Sequence, residues 1–160
     1  MSFSSNKPED LIIDAARKGN VPLLEDLIKE GVNVNCQDGR GFTPLIVAAY
    51  DGQLEATKKL LSAQADANWQ DLGGNTALMG VSFKGYPEIG QLLIDNGADV
   101  DLQNGNGGTA LMFAVLFGRN NMAKLLIENN ADKNIQDKRG MTALDLAYQQ
   151  GNEEAITFLT

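Results

Sequence analysis

Short apolar segments alternate with polar breaks along the chain at a regular interval. One apolar segment covers Leu45–Tyr50 and stops at Gly52. Another begins near Leu54 and carries the adjacent pair Leu60 and Leu61. Both have the length of a short helix, and glycine is the residue best suited to the left-handed conformation that follows a helix. The pattern therefore predicts pairs of short helices.

The same pattern recurs every 33 residues. Glycines hold this spacing at five places, which are Gly19, Gly52, Gly85, Gly118 and Gly151. Threonines hold it at four places, each two residues after a glycine, which are Thr43, Thr76, Thr109 and Thr142. Chance does not place two such ladders in register. We therefore predict a repeat protein in which each unit is one helix pair.

Each of these threonines has the features of a helix start. The chain reads Thr-Pro-Leu at 43–45 and Thr-Ala-Leu at 76–78, 109–111 and 142–144. A threonine hydroxyl before a helix accepts a hydrogen bond from a free N–H group of the first turn. Pro44 follows where a missing N–H group costs nothing. We expect a helix to begin directly after each threonine.

The second helix of each unit has its own recurring features. It carries a pair of adjacent aliphatic residues, at Leu27–Ile28, Leu60–Leu61, Leu92–Leu93 and Leu125–Leu126. It ends at a second glycine position, occupied by Gly31, Gly97 or the usual substitute Asn130. An extended segment with turn residues follows, as at residues 98–105. We expect this segment to form a hairpin-like loop between units.

The period of 33, the Thr-Pro-Leu-type opening and the Gly-Ala-Asp-Val-Asn-type exit together resemble ankyrin repeats. The resemblance covers nearly the whole chain. It implies an all-α fold, an α-solenoid of stacked helix-turn-helix units with connecting hairpin loops. Residues 1–160 would form a single domain. Its parts would be an N-terminal capping repeat at 9–37, full repeats at 38–70, 71–103 and 104–136, and a C-terminal capping repeat at 137–160.

The chain departs from the family pattern at two kinds of position. Where the family usually has histidine after Thr-Pro-Leu, this chain has Ile46, Met79, Met112 and Asp145. The resemblance implies that this histidine bonds between repeats, so we expect apolar packing to hold that seam here. Gln64 stands where other units end the second helix with glycine. Because a positive φ costs a non-glycine residue about 1 kcal/mol, we expect a local distortion there.

Charge narrows the range of partners. The chain has a formal net charge of -8, which disfavours nucleic-acid phosphates and anionic membrane surfaces. The charge favours a protein partner with a basic patch, although it could equally serve only to keep an elongated molecule in solution. No apolar run approaches the roughly 20 residues of a membrane span. We therefore expect neither nucleic acid nor membrane as a partner.

The single cysteine and the N-terminus bear on location. Cys36 has no second cysteine to pair with, which fits a reducing compartment. Residues 1–10 are polar and lack the apolar stretch of a secretory signal. We predict a cytoplasmic protein, unless a secretion signal was removed upstream.

The residues needed for most catalytic chemistry are absent from the sequence. The chain has no histidine, which removes the commonest general base and the histidine-based metal sites. We expect no enzyme activity, no catalytic residue, no metal and no cofactor. Residues 99–105 resemble the start of a calcium loop, but the twelfth position is Ala110. The alternative function is a small-ligand or metal-binding repeat protein that uses the glycine-rich hairpin 105–109, which precedes a helix but lacks the lysine of a P-loop.

The resemblance implies that partners dock on the concave side, which is lined by the hairpin tips and the ends of the first helices. This chain places apolar side chains there, where exposure is expected, with charged side chains at the rim. The predicted partner-binding residues are Arg40, Phe42, Tyr50, Asp51, Leu72, Asn75, Phe83, Lys84, Leu116, Phe117, Arg139 and Met141. Exposed aromatic residues are enriched at interface hot spots. We therefore predict a monomeric protein–protein interaction module, serving as an adaptor, a scaffold or an inhibitor.

Neighbouring positions are assigned to packing. We expect Phe113 in the core and Phe117 exposed. Two further ladders of period 33 follow from the sequence. The first is apolar and should pack between repeats, with partial exposure of its tryptophan: Cys36, Trp69, Leu102 and Ile135. The second should make polar contacts between hairpins: Gln37, Gln70, Gln103 and Gln136.

Overall fold

The computed structural model describes residues 7–160, and residues 1–6 of the predicted domain lie outside that range. Ten helices of seven to eleven residues occupy the described part. In chain order they are α1 Pro8–Lys18, α2 Val21–Lys29, α3 Pro44–Tyr50, α4 Leu54–Ser62, α5 Ala77–Lys84, α6 Pro87–Asp95, α7 Ala110–Leu116, α8 Asn120–Glu128, α9 Ala143–Gln150 and α10 Glu153–Leu159. No strand is assigned between residues 7 and 160. The predicted all-α class is confirmed.

The helices form two layers. The odd-numbered helices pack side by side from α1 to α9, and the even-numbered helices do the same from α2 to α10. The two helices of each unit also pack against each other. Because one unit has too little core to fold alone, its stability comes from these neighbours. The predicted α-solenoid of stacked helix-turn-helix units is confirmed.

Threonine hydroxyls start four helices of the first layer, as predicted. The hydroxyl oxygens accept the N–H groups three residues further on, at 3.1 Å for Thr43, 3.3 Å for Thr76, 3.3 Å for Thr109 and 3.2 Å for Thr142. The first three threonines are buried, so the N–H groups they satisfy lie away from water. Each such cap contributes about 1 kcal/mol.

Leucines spaced 33 residues apart form the centre of the core. In the first layer they are Leu45, Leu78 and Leu111, and in the second layer Leu60, Leu93 and Leu126. None of them is more than 1% exposed. Full burial of a leucine side chain contributes about 1.5–3 kcal/mol. The repeat ladder in the sequence is therefore also the main source of stability.

At the position where the family has histidine, the contact between repeats is apolar in three of the four units. Met79 and Met112 are buried, and Ile46 is half-buried against the core, so the prediction is confirmed at these three positions. It is wrong at Asp145, which is exposed. This carboxylate accepts the Thr142 N–H group at 2.9 Å and closes a capping box at the start of α9.

Gln64 adopts the predicted backbone conformation without the predicted distortion. Its φ is 72°, close to the 68° of Asn130 at the corresponding position. The helix before it, α4, has nine residues, the same as α6 and α8. The N–H group of Ala65 donates to the carbonyl of Leu60 at 3.0 Å. The end of α4 therefore has the same geometry as the ends of α6 and α8, although a glutamine occupies the position with positive φ.

One side chain organises each hairpin loop between units. The Asp38 Oδ1 accepts the N–H groups of Arg40 at 2.8 Å and Phe42 at 3.0 Å. The same pair of hydrogen bonds recurs at Asp71, Asn104 and Asp137. Backbone hydrogen bonds join successive hairpins, from Leu72 to Arg40 at 3.1 Å, from Gly105 to Gly73 at 2.9 Å and from Lys138 to Asn106 at 3.0 Å. The hairpins are thus held in register with the helices.

The glutamine ladder makes the predicted contacts between hairpins. The Gln70 side-chain amide donates to the Gly74 carbonyl at 2.8 Å and to the Gln103 carbonyl at 3.1 Å. Gln37 and Gln103 make the corresponding pairs of hydrogen bonds. In the apolar ladder one residue earlier, Cys36 is buried and Trp69 is half-buried, as predicted. Leu102 and Ile135 are less buried than predicted, because both are half-buried.

The hairpin of the last unit should be sensitive to pH. Burial raises the pKa of Asp137, but hydrogen bonds from the N–H groups of Met141 and Arg139 and the charge of Arg139 outweigh it, so the pKa lies below its ordinary value. In the unfolded chain, the pKa of this carboxyl group is about 3.9. Because its pKa is lower in the folded protein, the ionised group stabilises the fold above pH 3.9, and this contribution is lost as the pH falls through the folded pKa. Asp137→Asn should therefore cost up to about 1 kcal/mol at neutral pH and less in acid.

Urea unfolding of both proteins across the acid and neutral range measures this effect. The asparagine side chain keeps an oxygen acceptor, and Asn104 shows that an amide supports the same hairpin. A difference between the two proteins that stays constant with pH would contradict the assigned role of the Asp137 charge.

Candidate functional site

Three aromatic rings form a contiguous row across the ends of the first-layer helices. Tyr50 ends α3, Phe83 lies in the last turn of α5, and Phe117 directly follows α7. The ring centroid of Phe83 is 6.2 Å from that of Tyr50, in a stacked pair, and 4.6 Å from that of Phe117, edge to face. Tyr50 and Phe117 are 41% and 45% exposed. This aromatic row, Tyr50–Phe83–Phe117, is therefore self-packed and still faces solvent.

Two cations lie over aromatic rings on the same surface. The Lys84 Nζ is 4.8 Å from the Tyr50 centroid, and the Arg40 guanidinium carbon is 4.9 Å from the Phe42 centroid. Both distances are within the roughly 6 Å over which a cation is attracted to a ring face. The rings thus hold positive charge next to exposed apolar surface.

A first groove of about 590 Å³ lies beside the aromatic row, between the hairpin tips and the first-layer helices. Its apolar lining comes from Phe42, Ile46, Tyr50, Met79, Phe83 and Phe113. Charged and polar groups at its edge come from Arg17, Arg40, Asp51 and Asn75. The volume falls within the range of about 300–1,000 Å³ that is usual for ligand sites.

Gly80 lets the Tyr50 ring of the preceding unit pack closely against α5. The same position in the neighbouring units holds Val47, Phe113 and Leu146, whereas in α5 the backbone is bare and lines the groove. A Cβ atom on Gly80 would lie 3.3 Å from the Tyr50 Cδ2, so the Tyr50 ring packs directly over the glycine. Glycine inside a helix costs about 0.5–1 kcal/mol relative to alanine. The close contact with Tyr50 is thus maintained at the expense of helix stability.

A second groove of about 370 Å³ follows along the stack. Leu116 and Leu146 contribute to its apolar lining, and Lys138 and Arg139 lie among its charged residues. Phe113 lines both grooves and separates them. The surface that contains the two grooves and the aromatic row is called the groove face below.

Comparison with known proteins identifies the repeats. The sequence model of the family described as "Ankyrin repeats (3 copies)" matches residues 12–104 and 79–160. The chain belongs to the ankyrin repeat family. A segment of 52 residues is 46% identical to "Ankyrin repeat domain-containing protein 29" from Danio rerio. That segment is 31% of this chain, and it spans only 17% of the relative's length.

Ankyrin repeats are generally protein–protein interaction modules. The groove face is built from the hairpin tips and first helices of successive ankyrin units, which is the surface that the sequence resemblance assigns to partners. Within residues 7–160, no helix of this ankyrin stack is long and apolar enough to cross a bilayer.

Eight of the twelve predicted contact residues line the two grooves of the ankyrin stack. The first groove includes Arg40, Phe42, Tyr50, Asp51, Asn75 and Phe83, and the second includes Leu116 and Arg139. Lys84 and Phe117 touch the rings of the aromatic row. Leu72 and Met141 line neither groove.

The exposure of the apolar contact residues is lower than predicted. Phe42, Leu116 and Met141 are half-buried because they pack against the core of the ankyrin stack. Phe83 is half-buried because it lies between the other two rings of the aromatic row. Only Leu72, at a hairpin tip, is almost fully exposed, at 80%. Of the seven apolar contact residues for which exposure is expected, these four are thus only partly exposed and the other three are exposed.

Sequence reasoning missed several residues that shape the groove face. Phe113 packs against the core, as predicted, and also lines both grooves. Arg17 lines the first groove and lies 33 residues before Tyr50, so the repeat ladder could have indicated it. Gly80 could have been found because glycine replaces a larger residue inside a predicted ankyrin helix.

The glycine-rich hairpin 105–109 does not offer a phosphate cradle. The N–H groups of residues 105–108 all donate within the protein, to the carbonyls of Gly73 and Asn104 and to the Asn104 Oδ1. A ligand phosphate would have to break the ankyrin hairpin to reach them. Across residues 7–160, no group of three or more His, Cys, Asp or Glu side chains is placed to hold a metal ion. The alternative ligand-binding function has no support at this hairpin.

Cys36 behaves as a buried apolar side chain, as predicted. Burial, followed by the nearby charge of Glu9, raises the pKa of the Cys36 thiol to about 11. The thiol is therefore protonated at neutral pH, and a protonated thiol is a poor nucleophile.

Proposed function

We propose that this ankyrin repeat protein binds another protein through its groove face. The observation that carries the proposal is the aromatic row. Phe83 packs against Tyr50 on one side and Phe117 on the other, and both outer rings are more than 40% exposed. Clustered exposed aromatics are unusual on a monomer and are enriched at interface hot spots. A partner side chain placed on the row would bury ring surface that water now covers.

The charged rim would orient the partner. Arg40, Asp51 and Arg139 are exposed beside the two grooves, and rim charges act mainly on association rate and register. An adaptor, a scaffold and an inhibitor would all use this contact and differ only in its consequence for the partner.

We propose a single domain with its repeats at 38–70, 71–103 and 104–136 and caps at 9–37 and 137–160. Support for the C-terminal cap comes from Tyr148, which is 60% exposed at the position where Ala49, Ser82 and Val115 are fully buried in earlier units. A ring in place of a small side chain hinders the stacking of another unit. This favours a monomer.

The overall composition supports binding and not catalysis. The net charge of -8 disfavours nucleic acid and, at long range, favours a protein with a basic patch. The sequence contains no histidine, so general base catalysis would have to use other groups. The lone Cys36 fits a reducing compartment, and we propose the cytoplasm.

Removal of the aromatic row should abolish partner binding. The variant Tyr50→Ala/Phe83→Ala/Phe117→Ala should lose a partner that wild type retains, because hot-spot truncations each cost about 2 kcal/mol or more. Pull-down from a lysate of the source organism with mass spectrometry measures this, with circular dichroism to show that the variant is folded. Tyr148→Ala is the matched control, since Tyr148 is a more exposed aromatic outside both grooves.

Each pattern of retention has a distinct meaning. A protein kept by wild type and Tyr148→Ala and lost by the triple variant supports the groove face as the binding surface. A protein kept by all three would contradict the aromatic row as the binding surface and move the contact to the second helix layer or to the backs of the hairpins.

A further inference from the structure

We propose that Arg119 is a positioning residue of the groove face, which holds Phe83 and Phe117 in the arrangement that a partner contacts. This inference rests on the proposed function, in which the aromatic row binds a protein partner. Arg119 itself lines neither of the two grooves, so it acts through the two rings and not by touching the partner.

The Phe83 carbonyl group cannot be satisfied inside its own helix. Phe83 lies in the last turn of α5, and the carbonyl groups of a last turn have no N–H partner within the helix. The residue four positions later is Pro87, which has no N–H group to offer. A donor for this carbonyl must therefore come from another part of the chain or from water.

Arg119 supplies this donor from the next unit. Its Nε–H group donates to the Phe83 carbonyl oxygen at 3.0 Å. A positively charged donor makes a stronger hydrogen bond than a neutral one, and the negative end of the helix dipole favours a cation at this place. The hydrogen bond therefore fixes the last turn of α5 from outside the helix.

The Arg119 side chain reaches the carbonyl across Gly85. A Cβ atom on Gly85 would lie 2.8 Å from the Arg119 Cδ and 3.3 Å from its Cγ, so the stem of the arginine lies directly on this glycine. Gly85 follows α5, and Arg119 directly precedes α8. The stem contact and the hydrogen bond together hold the end of α5 against the start of α8.

The segment that carries Arg119 also carries Phe117. Only Gly118 separates the two residues, and both side chains reach back to the end of α5. The Phe117 ring meets the Phe83 ring edge to face at 4.6 Å, while Arg119 holds the Phe83 backbone. The ends of α5 and α7 are thus joined twice, once through the rings and once through the arginine.

The neighbouring step of the aromatic row supports this role. One unit earlier, Tyr86 has the position of Arg119, and its ring packs against the glycine that follows α3. The rings at that step, Tyr50 and Phe83, are 6.2 Å apart, whereas those of Phe83 and Phe117 are 4.6 Å apart. The closer pair of the row is the pair whose backbone Arg119 holds.

Arg119→Met and Arg119→Gln together test the hydrogen bond. Both variants are uncharged and have an unbranched stem, but only glutamine carries an N–H donor. Gln53 shows that glutamine suits this position, because its Nε2 donates to the Arg17 carbonyl at 3.1 Å two units earlier. Since Arg119 is exposed, neither substitution disturbs the core. Fluorine NMR of protein labelled with 4-fluorophenylalanine reports on the rings, and Phe→Leu variants assign the signals.

Arg119→Met should move the fluorine signals of Phe83 and Phe117 towards their positions in the unfolded protein, because the rings no longer keep one arrangement. The signal of Phe42, outside the aromatic row, should not move, and Arg119→Gln should restore the other two. Gln53→Met is the matched control, since it removes the equivalent hydrogen bond to α1, which carries no ring of the row. Unmoved Phe83 and Phe117 signals in Arg119→Met, or an equal movement of the Phe42 signal, would overturn the inference.

A peptide probe tests whether the placement of the rings governs binding. The probe is the tightest peptide from a phage-displayed random library that binds wild type and does not bind the triple variant of the aromatic row. Arg119→Met should weaken this binding about fivefold, the equivalent of one ordinary hydrogen bond. Arg119→Gln should bind within about twofold of wild type, because it keeps the donor.

Failure of this inference is distinguishable from failure of the proposed function. If the peptide binds Arg119→Met as tightly as wild type, the aromatic row remains a binding surface and the positioning role of Arg119 is rejected. If no selected peptide distinguishes wild type from the triple variant, the aromatic row is not a binding surface, and both proposals are rejected.

Discussion

Replacing Leu111 by alanine should lower the free energy of unfolding by about 2–5 kcal/mol. Leu111 is 1% exposed in α7, and α7 packs between α5 and α9 and against α8. The substitution removes buried apolar volume and leaves a cavity that four helices cannot close together. Leu78→Ala in α5 should have a similar effect, because Leu78 has the same burial one repeat earlier. Urea unfolding measures both.

Leu72→Ala is the matched control for these substitutions. It removes the same atoms from a side chain that is 80% exposed on a hairpin tip, so its effect should stay within about 0.5 kcal/mol. A loss under about 0.5 kcal/mol for Leu111→Ala or Leu78→Ala would contradict their placement at the centre of the stack.

Replacing Gly74 by alanine should be nearly as costly, for a different reason. Gly74 has a φ of 82°, and a Cβ there would lie 2.8 Å from the Gly105 nitrogen and 3.1 Å from backbone atoms of Asn104. Two costs add, since the left-handed conformation disfavours alanine by about 1–2 kcal/mol and the overpacked contact adds about 1–3 kcal/mol. The hydrogen bond from Gly105 to the Gly73 carbonyl must also shift. We expect a total loss of about 2–5 kcal/mol in urea unfolding.

Gly140→Ala separates the two costs. Gly140 has a φ of 80° at the same position of the last hairpin, but nothing lies within 4 Å of an added Cβ. It should therefore show only the conformational cost of about 1–2 kcal/mol. Equal losses at Gly74 and Gly140 would contradict the extra cost assigned to the clash between the added Cβ of residue 74 and the next hairpin.

The predictions that succeeded from sequence concern local chemistry repeated at a fixed interval. Thr43 and its three counterparts start helices because a hydroxyl before a helix satisfies an N–H group whatever lies around it. Gln70 and Gln103 reach from hairpin to hairpin because the period of 33 places identical side chains one above another. In a repeat protein, sequence spacing translates directly into spatial neighbours.

The predictions that failed depend on how neighbouring units meet. Asp145 stands in an apolar ladder, yet it caps its own helix because no further unit packs on α9 within residues 7–160. Phe42 and Leu116 occupy positions where exposure is expected, yet they are half-buried because they pack against the core. Burial of a side chain depends on its neighbours' shapes, which the identity of one residue does not contain.

By itself, the sequence determined the helix pairs, their period and the threonine caps that start four of the helices. Only the tertiary structure decided that Tyr50, Phe83 and Phe117 form one contiguous row and that the Tyr50 ring packs on Gly80 of the next unit. It also decided that Asp71 and Asp137 accept hydrogen bonds from their own hairpins and that the Arg40 guanidinium lies over the Phe42 ring. The physical reason is that the contacts of a surface side chain depend on which other side chains lie next to it in the fold. Here those side chains come from three or four separate repeats.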